Sequence, residues 1–257
     1  MKTGIKIVLS VVMLSSLSFG GEQFAMSDAD RAIYKEMLEN NPADLMVANG
    51  EELLAEYCGG EAGLAAFLNV SEDNLPAYIA GFPRYLPDFK QVVGVDQVLQ
   101  GLMSKNGYKP FKLKSSNMFD MSAYAKSIAN GEKSNININA NSQMKEAYAL
   151  GKKTYMTARG GRGLSCNSCH SADIVGRVLR TQPLPDLGKH GVAVAATWPA
   201  YRMTKSSLRT LQRRFQGCMK NALLKVIPIG SPEMVALEVY LTDEAKGAEI
   251  AVPGLKR

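Results

Sequence analysis

Cys166-Asn167-Ser168-Cys169-His170 places two thiols three residues apart and an imidazole directly after the second. Two thiols at that spacing on a tight turn can add to the two vinyl groups of one porphyrin. The next residue then sets a nitrogen ligand under the iron. This is the attachment pattern of c-type haem, and the covalent anchors are Cys166 and Cys169 with His170 as iron ligand. A zinc half-site is the first competing reading. It needs two or more further Cys or His ligands, and the chain offers Cys58, Cys218 and His190. A thiol redox pair is the second; it has no use for His170, and no βαβ pattern surrounds the motif.

A haem with one histidine ligand leaves the opposite face of its iron open. Methionine or a second histidine commonly fills it, which makes His190, Met203 and Met219 candidates. Cys218 is a candidate of another kind. It lies in a helical stretch, Arg213-Arg214-Phe215-Gln216-Gly217-Cys218-Met219. It could equally be a buried free thiol or a disulfide partner of Cys58.

Charge is concentrated around these residues. Gly151 to Gly230 holds fourteen basic residues and two acidic ones, Asp173 and Asp186, a net +12 against +6 for the whole chain. An anionic substrate or partner is expected there, although a solvated basic face has the same composition. Arg214 and Cys218 stand at i and i+4, so a helix brings a guanidinium beside the sulfur. That favours thiolate and offers a grip for a small oxyanion. Lys205 and Arg209 read as exposed charges that act by steering.

The elements that position this set are mostly helical. Ser27-Asp28-Ala29-Asp30 reads as a helix start in an acidic region over 21–72. Prolines 76, 83 and 87 interrupt, and Val92 to Met103 resumes a helical period. Residues 130–142, rich in Asn and Ser, read as a linker. Gln143 to Met156 reads as a helix entering the Cys166 region. Residues 176–206 are loop-rich, and Ser206 or Ser207 reads as the cap of a helix running to Lys225. Ser231, Pro232 and Glu233 open a last helix that stops near Gly247. Strand signals are weak, so the class is mainly α.

At the start of the chain, Lys2 and Lys6 precede an apolar run from Ile7 to Leu17 and the small residues Ser18 and Gly20. Residues 1–20 therefore read as a secretory signal peptide and the mature protein as exported. A retained anchor is the other reading, but the run is shorter than the roughly 20 apolar residues a span needs.

The helices on either side of the motif resemble the first and last helices of class I cytochrome c. Three further segments carry a more specific resemblance: Thr197-Trp198-Pro199-Ala200-Tyr201-Arg202, then Leu208-Arg209-Thr210-Leu211-Gln212-Arg213-Arg214, then Cys218. They are similar to the SoxA family, the catalytic cytochrome subunits of the bacterial thiosulfate-oxidising Sox system. Phe82-Pro83-Arg84-Tyr85-Leu86 is a weaker echo in the N-terminal half. The resemblance implies two cytochrome-c-like domains in tandem, over 21–129 and 143–257. Haem c sits only in the C-terminal one, because no attachment motif precedes Cys166. It implies Cys218 as distal iron ligand, modified in the family to a persulfide, and Arg214 as a substrate-holding arginine. It also implies a periplasmic location, a SoxX cytochrome partner, and conjugation of thiosulfate to a cysteine of the SoxYZ carrier. Cys58 matches the first cysteine of a disulfide common in haem-free first domains. The second would fall near Leu102-Met103, where this chain has none.

Overall fold

The computed structural model describes residues 28–179 and 182–256. The expected signal peptide lies outside the described residues. Among the described residues no helix is long and apolar enough to cross a membrane.

The fold is mainly helical, as the sequence leads one to expect, with strands of two or three residues. The N-terminal half contains α1 (Asp28–Glu39), α2 (Asp44–Cys58), α3 (Gly60–Leu68), α4 (Leu75–Ile79), β1 (Arg84–Leu86), β2 (Gln91–Val93), α5 (Val95–Lys105) and α6 (Ser116–Ser127). The C-terminal half contains α7 (Ser142–Met156), β3 (Val178–Leu179), β4 (Gln182–Pro183), β5 (Ala200–Arg202), β6 (Ser207–Arg209), α8 (Leu211–Asn221), α9 (Pro232–Glu244) and β7 (Gly254–Lys256). The last helix begins where its cap chemistry places it. Ser231 Oγ accepts from Met234 N at 3.3 Å, and Pro232 takes the first turn, where no N–H is needed.

The two halves repeat one plan. In each, an early helix crosses a late one at a glycine: α2 meets α6 at Gly50, and α7 meets α9 at Gly151. A methyl on Gly50 would run into the carbonyl of Asp120, and one on Gly151 into that of Ala236. Between the crossing helices, a cis proline leads into a strand, a 3₁₀ turn, a second strand and a helix. Pro83 and Pro199, Lys90 and Ser206, Gly94 and Thr210, and Gly101 and Gly217 fall at matching places. Lys90 and Ser206 both turn the chain through positive φ, at 51° and 45°. Leu102 therefore stands in α5 where Cys218 stands in α8, and Val98 stands where Arg214 does.

Two helix boundaries differ from the sequence reading for one reason. Neither Ser206 nor Ser207 caps α8, and the stretch that resumes at Val92 is not helical at its start. In both places a short strand comes first. β2 pairs antiparallel with β1, and β6 pairs antiparallel with β5. The cap of α8 is Thr210, whose hydroxyl accepts from Arg213 N at 3.4 Å. β5 is the middle strand of its sheet, and β7 returns from the C-terminus to pair with it in parallel.

Two main apolar clusters lie one largely in each half, the first also taking in Ala196, Ile250 and Val252, and two smaller clusters join the halves. Leu54, Cys58, Phe82, Leu99, Leu102 and Met103 meet in the first. Tyr155, Trp198, Phe215, Met219, Leu237 and Tyr240 meet in the second. The asparagine-rich stretch 130–142 joins α6 to α7 and is tied to the C-terminal tail. Gly131 N donates to Ile250 O at 3.1 Å, and Asn130 exchanges side-chain hydrogen bonds with the backbone of Val252 at 2.6 and 2.8 Å.

Candidate active site

The Cys166–His170 segment is a hydrogen-bonded turn. The N–H groups of Cys169 and His170 both donate to Cys166 O at 3.1 Å. Ser165 and Ser168 close the turn through their hydroxyls, 3.1 Å apart. α7 holds it from behind: Tyr155 OH donates to His170 O at 2.6 Å, and Asn167 N donates to Tyr155 O. Tyr155 in turn packs on Tyr240 of α9, with ring centroids 5.2 Å apart. The helix before the motif and the helix that closes the fold thus fix the turn together.

His170 is held through one ring nitrogen, which leaves the other able to serve a metal. Its Nδ1 lies 2.9 Å from the Pro185 carbonyl oxygen. A carbonyl only accepts, so Nδ1 carries the proton and Nε2 is left with a free lone pair. Burial lowers the pKa of the imidazole, the Pro185 hydrogen bond opposes this, and Arg214 lowers it further. Burial pushes the Cys166 thiol up to about 11, the opposite of what a reactive redox thiol needs.

His170 opens onto a cleft which Arg214 and Cys218 of α8 also line, together with Arg202 of β5 and the apolar Leu211 and Phe215. A mostly apolar cleft with a few convergent polar groups is the usual lining of a ligand or cofactor site. The residues fit a covalently attached haem. The thiols of Cys166 and Cys169 stand at the turn, and His170 presents Nε2. Trp198, also on the wall, carries a buried indole N–H with no hydrogen-bond partner among the described residues. A buried orphan donor of this kind calls for a ligand group.

All five residues singled out in the sequence, Cys166, Cys169, His170, Arg214 and Cys218, belong to this turn and cleft. The other candidate iron ligands do not line it. Met219 is buried in the core behind α8, its sulfur 3.5 Å from Ile227 N. His190 has a side chain 71% exposed and faces Glu244 at 3.9 Å. Met203 lies in the 3₁₀ turn after β5. Cys58 is a free, buried thiol in the other half, pushed up to about 11 by burial. Arg209 is not the exposed charge expected of it: its guanidinium lies 5.2 Å over the Phe119 ring and donates to Leu208 O. Arg202, Trp198 and the Pro185 carbonyl are the parts that residue type and spacing did not single out.

No known family profile matches the chain. Individual relatives do. The L-cysteine S-thiosulfotransferase subunit SoxA of Hydrogenophilus thermoluteolus is 31% identical over 274 residues, spanning 98% of this chain and 99% of the relative. The chain belongs to the SoxA family. The SoxA subunits of Chlorobaculum thiosulfatiphilum and Allochromatium vinosum are 28% and 27% identical, each over 93% of this chain and 80% and 82% of their own. The crystal structure of SoxXA from P. pantotrophus shares the fold, with a TM-score of 0.73 at 21% identity, over 88% of this chain and 84% of that one.

Proposed function

We propose that this protein is a periplasmic c-type cytochrome, made of two cytochrome-c-like domains in tandem, that joins thiosulfate oxidatively to a cysteine of a SoxYZ carrier protein. One haem c is held in the C-terminal domain by Cys166 and Cys169, with His170 and Cys218 as the two iron ligands. We place the two domains at 21–129 and 143–257 with the segment 130–142 between, a division that the repeated plan supports. The relatives carry the name L-cysteine S-thiosulfotransferase, and the structural neighbour is a SoxXA complex. Both support the reaction and a SoxX cytochrome as partner. The observation that carries the reading is the meeting of Arg214, Cys218 and His170 on one cleft.

The reaction balances as thiosulfate plus carrier thiol giving an S–S-linked thiosulfonate, one proton and two electrons. Haem, when bound, supplies acceptance of those electrons one at a time, and a partner cytochrome removes them. This chain's residues do the rest. The basic region around the cleft draws in a dianion, and Arg214 offers paired donors to sulfonate oxygens. The Cys218 sulfur forms the transient sulfur–sulfur bond, which exchange passes to the carrier thiol. In the N-terminal half, Leu102 and Val98 replace the cysteine and the arginine, so that half has no equivalent chemistry.

Mass spectrometry of purified carrier after incubation with thiosulfate, SoxX and this protein tests the proposal. The wild type should add one thiosulfonate per carrier cysteine, and Cys218→Ala should add none. Conjugation by Cys218→Ala at the wild-type rate would overturn it.

A further inference from the structure

Two cations beside the cleft are not used by that reading. Arg202 ends β5 and lines the same cleft as Arg214 and Cys218. Lys256 is its neighbour. β7 runs parallel to β5 with Lys256 in register with Arg202, so the two side chains leave the sheet on the same face from strands about 4.8 Å apart. Both residues are partly buried. Among the described residues, the side chains of Arg202, Arg214 and Lys256 make no ion pair and no hydrogen bond.

Like charges gathered this closely repel, and partial burial removes the water that would screen them. Both groups are shifted accordingly, burial being the larger cause and the neighbouring cation the second. Lys256 is pushed down to about 8, by burial and then by the charge of Arg202. Arg202 is pushed down to about 10, by burial and then by Arg214, with the Cys218 sulfur pulling the other way. No carboxylate contributes to either. Arg202 and Lys256 thus bring to the cleft lined by Arg214 and Cys218 two cations with no carboxylate partner among the described residues, where a doubly charged anion can pair with them.

We propose that Arg202, with Lys256 behind it, forms together with Arg214 a two-guanidinium cradle that selects doubly charged sulfur oxyanions and leaves their terminal sulfur free to meet Cys218. This rests on the reading of Arg214 and Cys218 as the substrate site. Arg202 touches the oxyanion. Lys256 is a positioning residue, whose charge on the flank of Arg202 biases the guanidinium toward the cleft. The C-terminal strand, far in sequence from the haem motif, thereby becomes part of the substrate site.

The test uses the haem-loaded protein and calorimetric titration with sulfate, an unreactive dianion, and nitrate, a monoanion, at constant ionic strength. Arg202→Gln should weaken sulfate binding by about tenfold or more, the loss of a charge-assisted, paired contact, while changing nitrate binding little. Arg202→Lys should recover part of the affinity. Lys256→Gln should weaken sulfate binding severalfold and raise the KM for thiosulfate more than it lowers kcat. Lys205→Gln, at an exposed position, should match the wild type. Sulfate affinity unchanged in both Arg202→Gln and Lys256→Gln would overturn the cradle. So would an Arg202→Gln protein whose haem midpoint potential shifts while sulfate affinity holds, since Arg202 would then serve the haem carboxylates. If Cys218→Ala abolishes conjugation and Arg214→Ala slows it while the Arg202 and Lys256 variants bind sulfate normally, the cradle alone fails. If Cys218→Ala and Arg214→Ala leave conjugation intact, the functional reading itself fails.

Discussion

Replacing Arg214 with alanine should slow thiosulfate conjugation by about ten- to a hundredfold while leaving folding nearly unchanged. Arg214 lies on α8 one turn before Cys218 and on the wall of the cleft that His170 lines. Its charge is felt at His170, whose pKa it lowers. Its guanidinium has no protein partner among the described residues, so truncation orphans no buried carboxylate. The loss falls on the substrate. A charge-assisted hydrogen bond contributes about 1.5–3 kcal/mol, and each 1.36 kcal/mol is a factor of ten in rate, which gives the range above. Arg214→Lys should recover only part, because an ammonium keeps the charge but cannot present two parallel N–H groups to a sulfonate. Lys205 is the proper control. It is exposed and should act only by steering, with an effect that fades as salt shortens the Debye length below about 8 Å. Arg209 cannot serve as control, since it stacks over Phe119. The assay is thiosulfate-dependent haem reduction with the partner cytochrome and the carrier present. Near-normal rates for Arg214→Ala at moderate salt would refute the reasoning and reduce this arginine to part of a basic surface.

Other outcomes follow from the same structure. Intact mass of the exported protein should show a start near Gly21 and one haem added; none or two would contradict the single attachment motif. Gly151→Ala should cost about 1–3 kcal/mol by overpacking, because the methyl meets the Ala236 carbonyl at the α7–α9 crossing. That is a fall in Tm of about 2–4 °C per kcal/mol for a chain of this size, and Gly50→Ala should do the same in the other half. Asp96, buried and facing Glu238, is held protonated up to about pH 7 from an ordinary 3.8, by burial first and Glu238 second. The folded state then keeps a proton that the unfolded chain releases, so Asp96 stabilises least at high pH. Its contribution to stability falls as pH rises from about 4 to 7 and levels off above. Asp96→Asn should flatten that fall, raising Tm relative to wild type more at about pH 8 than at about pH 5; an equal effect at both would contradict it.

The candidate residues of the site were more legible in the sequence than the frame that holds them. Cys166, Cys169 and His170 could be named as candidates because haem attachment needs two thiols and an imidazole at fixed spacing, and Arg214 with Cys218 because i and i+4 positions share a helix face; His170, Arg214 and Cys218 do line one cleft. The cap at Ser231-Pro232 was legible for the same local reason. The start of α8 was not. Ser206 looks like a cap, but it turns the chain at positive φ into β6, and three-residue strands are too short to show alternation. β5 is completed by β7, whose pairing is long-range and leaves no local trace. Lys256 could not be placed beside Arg202 for that reason, nor could Pro185 be seen as the acceptor that fixes the tautomer of His170. The repeat of the two halves was legible only as the echo around Phe82-Pro83.

The most direct measurement is the absorption and electron paramagnetic resonance spectrum of the purified haem protein, wild type beside Cys218→Met and Cys218→Ala. The account predicts a low-spin, thiolate-type spectrum for the wild type, a methionine-type spectrum for Cys218→Met, and loss of the low-spin thiolate signal in Cys218→Ala. A low-spin spectrum unchanged in Cys218→Ala would show that another residue binds the iron and would contradict the account.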